Sequence, residues 1–220
     1  MYYSFRRHIA FAFIGLFLAI PIVHGADLNV SSLTGTPTGA AILNPSGGFK
    51  QAGSLTTDSF TGTSEINSIS LNLLGNGASL SNFVVGIFTN DVSNQPGTQV
   101  GTNYTATGIA QNGINTFNFT GVRASLLPST TYWVVVQNTA SASFPLWSYD
   151  NTTTTPFAGT NATINIGSLT NPTGIGWNTN ATQTFLFSVV GVPEPSTYAL
   201  SLAGILTLAA LRRRKKLLTA

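Results

Sequence analysis

The middle of the chain alternates apolar and polar residues with the period of two that is typical of β-strands. Ile69, Leu71 and Leu73 alternate with Ser70 and Asn72. Similar alternation or an unbroken apolar run occurs at Phe83–Phe88, Phe117–Phe119, Tyr132–Val136, Ile164–Ile166 and Thr184–Val190. Between residues 27 and 191 no segment sustains the spacing of an amphipathic helix. The pattern therefore predicts short strands throughout this part of the chain.

The residues between these runs are mostly Thr, Asn, Ser and Gly, which suit turns and β-structure. Many short strands joined by such segments predict a single antiparallel β-sandwich or jelly-roll domain over residues 27–191. The stretch from residue 41 to about residue 67 is less regular. Residues 152–155 and 171–180 are expected to form long surface loops.

The N-terminal segment has the layout of a secretory signal peptide. Arg6 and Arg7 precede an apolar run from Ile9 to Ile20, and Pro21 follows it. Gly25 and Ala26 are small residues that suit cleavage, so residues 1–26 are predicted to form a signal-peptide helix that signal peptidase removes on export. An uncleaved N-terminal anchor is the alternative.

The C-terminal segment, residues 192–220, combines a short apolar run with a basic end. The run 198–211 would form a helix of roughly 21 Å, shorter than the ~30 Å hydrocarbon core of a bilayer. Snorkelling cations or local thinning of the bilayer would cover the difference. The cations that follow are Arg212, Arg213, Arg214, Lys215 and Lys216. Because cations prefer the cytoplasmic side, the sequence predicts a membrane helix with everything before it outside.

Pro193, Glu194 and Pro195 stand immediately before this helix. The motif, the apolar run and the basic end, in this order, closely resemble the PEP-CTERM sorting signal of Gram-negative bacteria. The resemblance implies recognition by a membrane protease of the exosortase type and removal of the tail. It also implies transient anchoring in the inner membrane, release to the cell surface or extracellular matrix, and a setting in which exopolysaccharide is made.

The predicted domain is similar in character to the β-sandwich regions called choice-of-anchor domains, which occur with such sorting tails. The similarity lies in the run Leu127–Trp133 and in the strand pattern around Phe83–Phe88. These domains carry no assigned chemistry, so the resemblance implies no catalytic residue and no cofactor.

The positive charge of the chain belongs to its two ends. The full sequence has nine Lys and Arg residues and a formal net charge of +3. Between residues 27 and 191 only Lys50 and Arg123 are cationic, whereas the acidic residues there are Asp27, Asp58, Glu65, Asp91 and Asp150. The exported region is therefore mildly acidic, and it lacks the basic stripe needed to bind nucleic acid.

Catalysis that depends on His or Cys is excluded for the predicted mature region. His8 and His24 are the two histidines, both in the predicted signal peptide, and the chain has no cysteine. Ser-His-Asp and Cys-His catalysis, His-rich zinc sites and iron–sulfur ligation through these residues are thus unavailable. No disulfide can stabilise the domain.

Aromatic residues are the candidates for ligand recognition. Trp147 and Tyr149 would share one strand face, and Trp177 lies in a Gly/Asn-rich segment. Such rings stack on the apolar faces of sugars, so these three residues are a candidate carbohydrate site; burial in the core is the alternative for each. For Trp133, inside a Val-rich strand, burial is the expectation.

The acidic and cationic side chains of the domain have structural interpretations as well. Asp91 and Asp150 could bind calcium, but each stands in a turn sequence, and one carboxylate per loop is few for a hard cation. No spacing singles out a carboxylate pair for glycoside hydrolysis. Arg123 could meet an acidic polysaccharide, although a carboxylate or loop carbonyl of the fold is the favoured partner.

Taken with the two terminal segments, these observations predict a non-enzymatic exported surface or matrix protein. The alternatives are a carbohydrate-binding module that recognises exopolysaccharide and, more remotely, a secreted hydrolase. No metal site and no cofactor is predicted. The predicted partners are the secretion machinery, signal peptidase and an exosortase-type protease.

Overall fold

A computed structural model describes residues 25–42, 49–75, 77–119, 121–139, 146–172 and 176–193. These residues belong to one compact unit that runs from Gly25 to Glu194. Within them, no helix has the length and hydropathy needed to span a bilayer. The helices predicted for the signal peptide and for residues 198–211 lie outside the described residues, as do Glu194, Pro195 and the basic residues 212–216.

The described chain is built from β-strands. The first eight are β1 (Leu28–Ser31), β2 (Gly39–Ile42), β3 (Lys50–Thr57), β4 (Ser64–Leu74), β5 (Phe83–Asn90), β6 (Pro96–Thr105), β7 (Gly113–Phe119) and β8 (Ser125–Leu126). The remaining seven are β9 (Thr131–Asn138), β10 (Leu146–Asp150), β11 (Phe157–Ala158), β12 (Ala162–Asn171), β13 (Asn178–Asn180), β14 (Thr184–Phe185) and β15 (Phe187–Pro193). One short 3₁₀ turn, Leu80–Asn82, precedes β5.

All pairings between these strands are antiparallel, which confirms the predicted all-β antiparallel class. The main path runs β1-β15-β4-β7-β6-β5-β9-β3-β12-β11. Strand β10 joins β2, β4 and β14 beside this path, while β13 pairs with β12 and β8 with β4. Several neighbours along the path are distant in sequence, such as β15 and β4 or β3 and β12, so these pairings depend on the arrangement of the whole domain.

The two ends of this path meet, so the sheet is nearly closed and sandwich-like. Asn29 of β1 forms an isolated antiparallel bridge with Thr160, just after β11. The two backbone hydrogen bonds measure 3.1 Å from Asn29 N–H to Thr160 O and 2.8 Å from Thr160 N–H to Asn29 O. Gly159 permits this approach because a Cβ there would collide with the backbone of Asn29 and Val30.

The hydrophobic core lies inside the closed sheet and draws on nearly every long strand. Its largest fully buried side chains are Trp147, Tyr104, Phe83, Phe117, Phe185 and Phe187. The predicted alternation in β4 is confirmed, since Ile69, Leu71 and Leu73 are all completely buried. The apolar face of each alternating strand therefore points into one shared interior.

Several strands differ from the sequence prediction. The sequence predicts a loop around Pro96 and Gly97, but both residues belong to β6, in which Tyr104 is the single buried residue. Residues 171–180, also predicted as a loop, include β13. The predicted last strand is interrupted at Leu186, whose backbone N–H donates to Ser148 O and whose carbonyl accepts from Asn72 N–H. Strands β6 and β13 lack a clear apolar stripe, so their conformation is decided by pairing with β5, β7 and β12.

Tyr104 ties three segments together inside the core. Its hydroxyl donates to the carbonyl of Ile66 at 3.0 Å and accepts from the backbone N–H of Ala124 at 3.2 Å. Burial raises the pKa of Tyr104 to about 12, although the bond from Ala124 works in the opposite direction. The hydroxyl therefore keeps its proton at physiological pH and remains a donor to Ile66.

Removing this hydroxyl should destabilise the fold. In Tyr104→Phe the buried Ile66 carbonyl and Ala124 N–H each lose a partner, so we expect the free energy of unfolding to fall by about 1–3 kcal/mol. Urea denaturation of the purified chain measures this loss. Tyr149→Phe is the control, because the half-buried Tyr149 hydroxyl makes no hydrogen bond to a described residue. Equal stability of wild type and Tyr104→Phe would contradict this role.

Candidate functional site

The first and last strands of the domain lie side by side. β1 pairs with β15 in the register Leu28 to Gly191, Asn29 to Val190, Val30 to Val189 and Ser31 to Ser188. Strand β15 continues on its other side along β4 until Pro193 faces Ser64. The described chain therefore enters and leaves the sheet at one place, and the first residue of the predicted sorting motif, Pro193, is the last residue of the final strand.

Arg123 lies close to this exit and has a structural partner. Its Nη1 is 3.1 Å from Oε2 of Glu65, and Glu65 faces Val192 of β15 across the strand pair. Both side chains are partly exposed, at 30% and 27%, so the pair adds little stability. The prediction that Arg123 bonds a carboxylate of the fold is confirmed.

Trp147 is a core residue, and its predicted role in stacking on a sugar is wrong. The ring is completely buried and stacks on Phe185 with centroids 4.2 Å apart. Its Nε1–H donates to the carbonyl of Leu186 at 3.0 Å. Strand β10 brings this ring inside the sheet, where no ligand can reach its faces.

Tyr149 and Trp177 do not complete a site with Trp147. Tyr149 is half-buried and packs edge-on to Phe185, with centroids 6.4 Å apart, at the margin of the same core. Trp177 instead packs against a separate cluster. The three rings therefore belong to two different parts of the structure, and the candidate site composed of all three is not assembled.

Trp133 belongs to this second cluster, which we call the outer cluster. It consists of Ala52, Trp133, Val135 and Leu169, with the partly buried Phe88 and Trp177 packed against it. All but Trp177, which precedes β13, occupy the outer face of β3, β5, β9 and β12, opposite to the main core. Trp133 is 4% exposed, and its Nε1–H donates to Asn90 Oδ1 at 2.7 Å. Burial of Trp133 is thus as predicted, but its neighbours are outside the main core.

A groove of about 470 Å³ opens beside the outer cluster. Its described walls come from β3, β9, β12, the turn after β5 and the segment around β13, as follows: Ser54, Thr56, Ser93, Asn94, Thr131, Trp133, Asn165, Ile166, Gly167, Ser168, Leu169, Thr179 and Ala181. The described lining contains neither a cation nor a carboxylate. It therefore offers no carboxylate pair of the kind that glycoside hydrolysis uses.

An irregularity in β12 forms one wall of the groove. Ile164 faces Leu55 of β3, but the next paired residue, Ser168, already faces Gly53, so Asn165, Ile166 and Gly167 bulge out of register. Gly167 has a φ of +99°, a conformation that residues with a Cβ rarely adopt. All three residues of the bulge line the groove.

Hydrogen-bonded polar side chains cross the floor of the groove. Asn165 Nδ2 donates to Ser54 Oγ at 3.2 Å and to Thr56 Oγ1 at 3.0 Å. Thr56 Oγ1 lies 2.9 Å from Thr131 Oγ1 on the next strand. Three neighbouring strands thus hold these four side chains in fixed positions.

The two aspartates considered for calcium stabilise turns, as expected. Asp91 Oδ1 accepts from the backbone N–H groups of Ser93 and Gln95 at 2.8 and 2.9 Å. Asp150 accepts from the backbone and hydroxyl groups of both Thr152 and Thr153 at 2.6–3.3 Å. Among the described residues, no three His, Cys, Asp or Glu side chains group together as metal ligands would.

The chain matches no family model, and the comparison with curated proteins finds no significant match.

The groove was not predicted from the sequence. It depends on a bulge in β12 and on Thr131, Thr56 and Asn165 meeting across strands that are far apart in sequence. Gly167, between Ile166 and Ser168 in a strand of alternating pattern, is the one local signal, because an isolated glycine in a strand marks a bulge.

Asp150 should make stability depend on acid pH. Burial opposes ionisation of its carboxyl, but the four hydrogen bonds from Thr152 and Thr153 outweigh burial and lower the pKa. A lowered folded-state pKa gives stability that is present above the unfolded value of about 3.9 and is lost as the pH falls through the folded value. Asp150→Asn should therefore unfold more easily at pH 7.

Urea denaturation at neutral and acid pH measures this effect. We expect Asp150→Asn to lose about 1.5–3 kcal/mol at neutral pH, the range for hydrogen bonds to a charged group. The difference from wild type should shrink at pH values below about 4. Asp58→Asn is the control, because Asp58 is exposed. A difference that stays constant across this pH range would contradict the assignment.

Proposed function

We propose that this chain is a non-enzymatic exported protein of the cell surface or extracellular matrix. In this proposal an exosortase-type membrane protease processes its C-terminal tail. The tail, residues 192–220, supplies the motif at 193–195, a membrane helix at 198–211 and the basic stop at 212–216. Signal peptidase removes residues 1–26. The finer assignment of the domain as a β-sandwich of the jelly-roll type, flanked by these two helical segments, is part of the same proposal.

One structural observation supports this function most directly. Leu28 and Gly191 face each other on paired strands, so the chain enters and leaves the domain at the same edge. A domain with adjacent ends can fold while both flanking segments are held by one membrane. Ends on opposite sides of the domain would require one linker to cross its surface.

The position of Pro193 also agrees with processing of the tail. β15 is paired with β4 up to and including Pro193. Proline lacks a backbone N–H and is therefore suited to the end of a strand. The protease would thus engage the chain immediately beyond the sheet, where the last ladder contact ends. The resemblance further implies association with exopolysaccharide or a biofilm matrix of a Gram-negative bacterium.

Replacement of the motif's acidic residue tests the proposal. With Glu194→Ala we expect the tail to be retained and the protein to stay in the inner-membrane fraction, whereas wild type is released to the surface. An epitope after Ala220 and another within the domain report processing and location on immunoblots of fractionated cells. Glu65→Ala is the matched control, because Glu65 is the other glutamate of the chain. Normal removal of the tail in Glu194→Ala would contradict the proposal.

A further inference from the structure

We propose that the groove beside the outer cluster binds an uncharged oligosaccharide. This inference concerns a different site from the sorting motif and does not depend on how the tail is processed. It also differs from the candidate site of Trp147, Tyr149 and Trp177, because Trp147 is buried elsewhere.

The size of the groove suits one or two sugar units. Its volume of about 470 Å³ lies within the ~300–1,000 Å³ typical of small-molecule sites. One wall of the groove is formed by the backbone conformation of β12, since Gly167 lies in the bulge at a φ of +99°. The groove is therefore present in the chain without a ligand.

The chemistry of the lining selects against charged ligands. The seven charged residues within 25–193 are absent from the described walls. Asp91 lies near Ser93 and Asn94, but its Oδ1 is engaged by two backbone N–H groups of its own turn. A charged ligand would have to lose water without gaining an opposite charge, which is costly. A neutral ligand with many hydroxyl groups carries no such penalty.

The hydroxyl and amide groups on the floor are arranged to meet a polyol. Asn165, Ser54, Thr56 and Thr131 are already held by one another, at 2.9–3.2 Å. A threonine hydroxyl has one proton and two lone pairs, so one bond to a neighbour leaves capacity for a ligand. Because these side chains are ordered before binding, little conformational entropy is lost when a sugar hydroxyl joins them.

The remaining walls provide the apolar surface that a sugar ring also needs. Trp133 and Leu169 line the groove and belong to the outer cluster. Trp177 packs on that cluster and is only partly buried. It lies just before β13, whose Thr179 lines the groove and faces Leu169 across the strand pair. A sugar can contact the polar floor and pack its C–H face against this ring.

An extended peptide is a poorer occupant of the same groove. β3 is paired with β9 and β12, and β9 with β3 and β5, so neither strand has a free edge beneath the groove. A peptide cannot add to them as a further strand, which is the mode that gives peptides most of their affinity for sheets. The floor offers side-chain hydroxyls in place of backbone groups.

Calorimetric titration of the full-length chain tests the inference. The chain is solubilised in a detergent without a sugar headgroup, since a glycoside detergent would compete. The probes are neutral hexasaccharides of glucose, galactose, mannose and N-acetylglucosamine, and a hexasaccharide of galacturonic acid is the charged comparison. We expect at least one neutral probe to bind with a dissociation constant of about 1 mM or below, and the acidic probe to bind at least about tenfold more weakly.

Two pairs of variants locate the binding. Ala181→Trp fills the groove without removing a side-chain hydrogen bond and should weaken binding at least about tenfold. Ala158→Trp, at an exposed position of β11 that does not line the groove, should leave binding unchanged. Thr131→Val removes a groove hydroxyl and should weaken binding severalfold. Its control is Thr116→Val, because Thr116 forms the same 2.9 Å hydroxyl pair, with Ser70, away from the groove.

Three results would overturn the inference. They are no binding of any neutral probe, preferred binding of the acidic probe, and neutral binding that Ala181→Trp leaves unchanged. Far-ultraviolet circular dichroism and urea denaturation of each variant establish that it is folded. Failure here leaves the export proposal intact, since that proposal depends on Glu194 and not on the groove.

Discussion

The pairing of β1 with β15 is the contact on which the rest of the structure depends. Asn29 pairs with Val190 on one side and forms a bridge to Thr160 on the other, so β1 joins the two ends of the sheet path. The chain has no cysteine, and no disulfide can replace this ladder. Closure encloses the core, and it also fixes the two ends of the domain next to each other.

Closure divides the aromatic residues between two environments. Trp147, Phe185 and Phe187 are inside, where they fill the core and cannot contact a ligand. Trp133 and Trp177 are outside it, in a cluster that borders a groove with uncharged walls. The ends of the domain and this groove are built from different strands. The proposed processing of the tail and the proposed ligand binding can therefore be tested by separate mutations.

Features that depend on the side chains of one strand could be predicted from the sequence, whereas features that depend on pairing with other strands could not. Strands with a clear apolar stripe, such as β4, or with an unbroken apolar run, such as β9, were predicted because burial of their own side chains decides their conformation. β6 was missed because Tyr104 alone is buried, and its pairing is supplied by β5 and β7. Trp147 was assigned to a sugar site because the sequence around it does not reveal which face of β10 points into the core. The groove was missed because it forms only when β3, β9 and β12 pair in their observed register.

The most direct test of the β1–β15 pairing and of export is to introduce two cysteines, Asn29→Cys and Val190→Cys. The measurement is whether their thiols form a disulfide in cells. Directly opposite residues on antiparallel strands have Cα atoms about 4.5–5.5 Å apart, within the range of a disulfide. A disulfide persists only in an oxidising compartment. The account predicts an intramolecular disulfide in this variant and none in a control pair, Asn29→Cys with Ser81→Cys. Two reduced thiols at positions 29 and 190 would contradict the account.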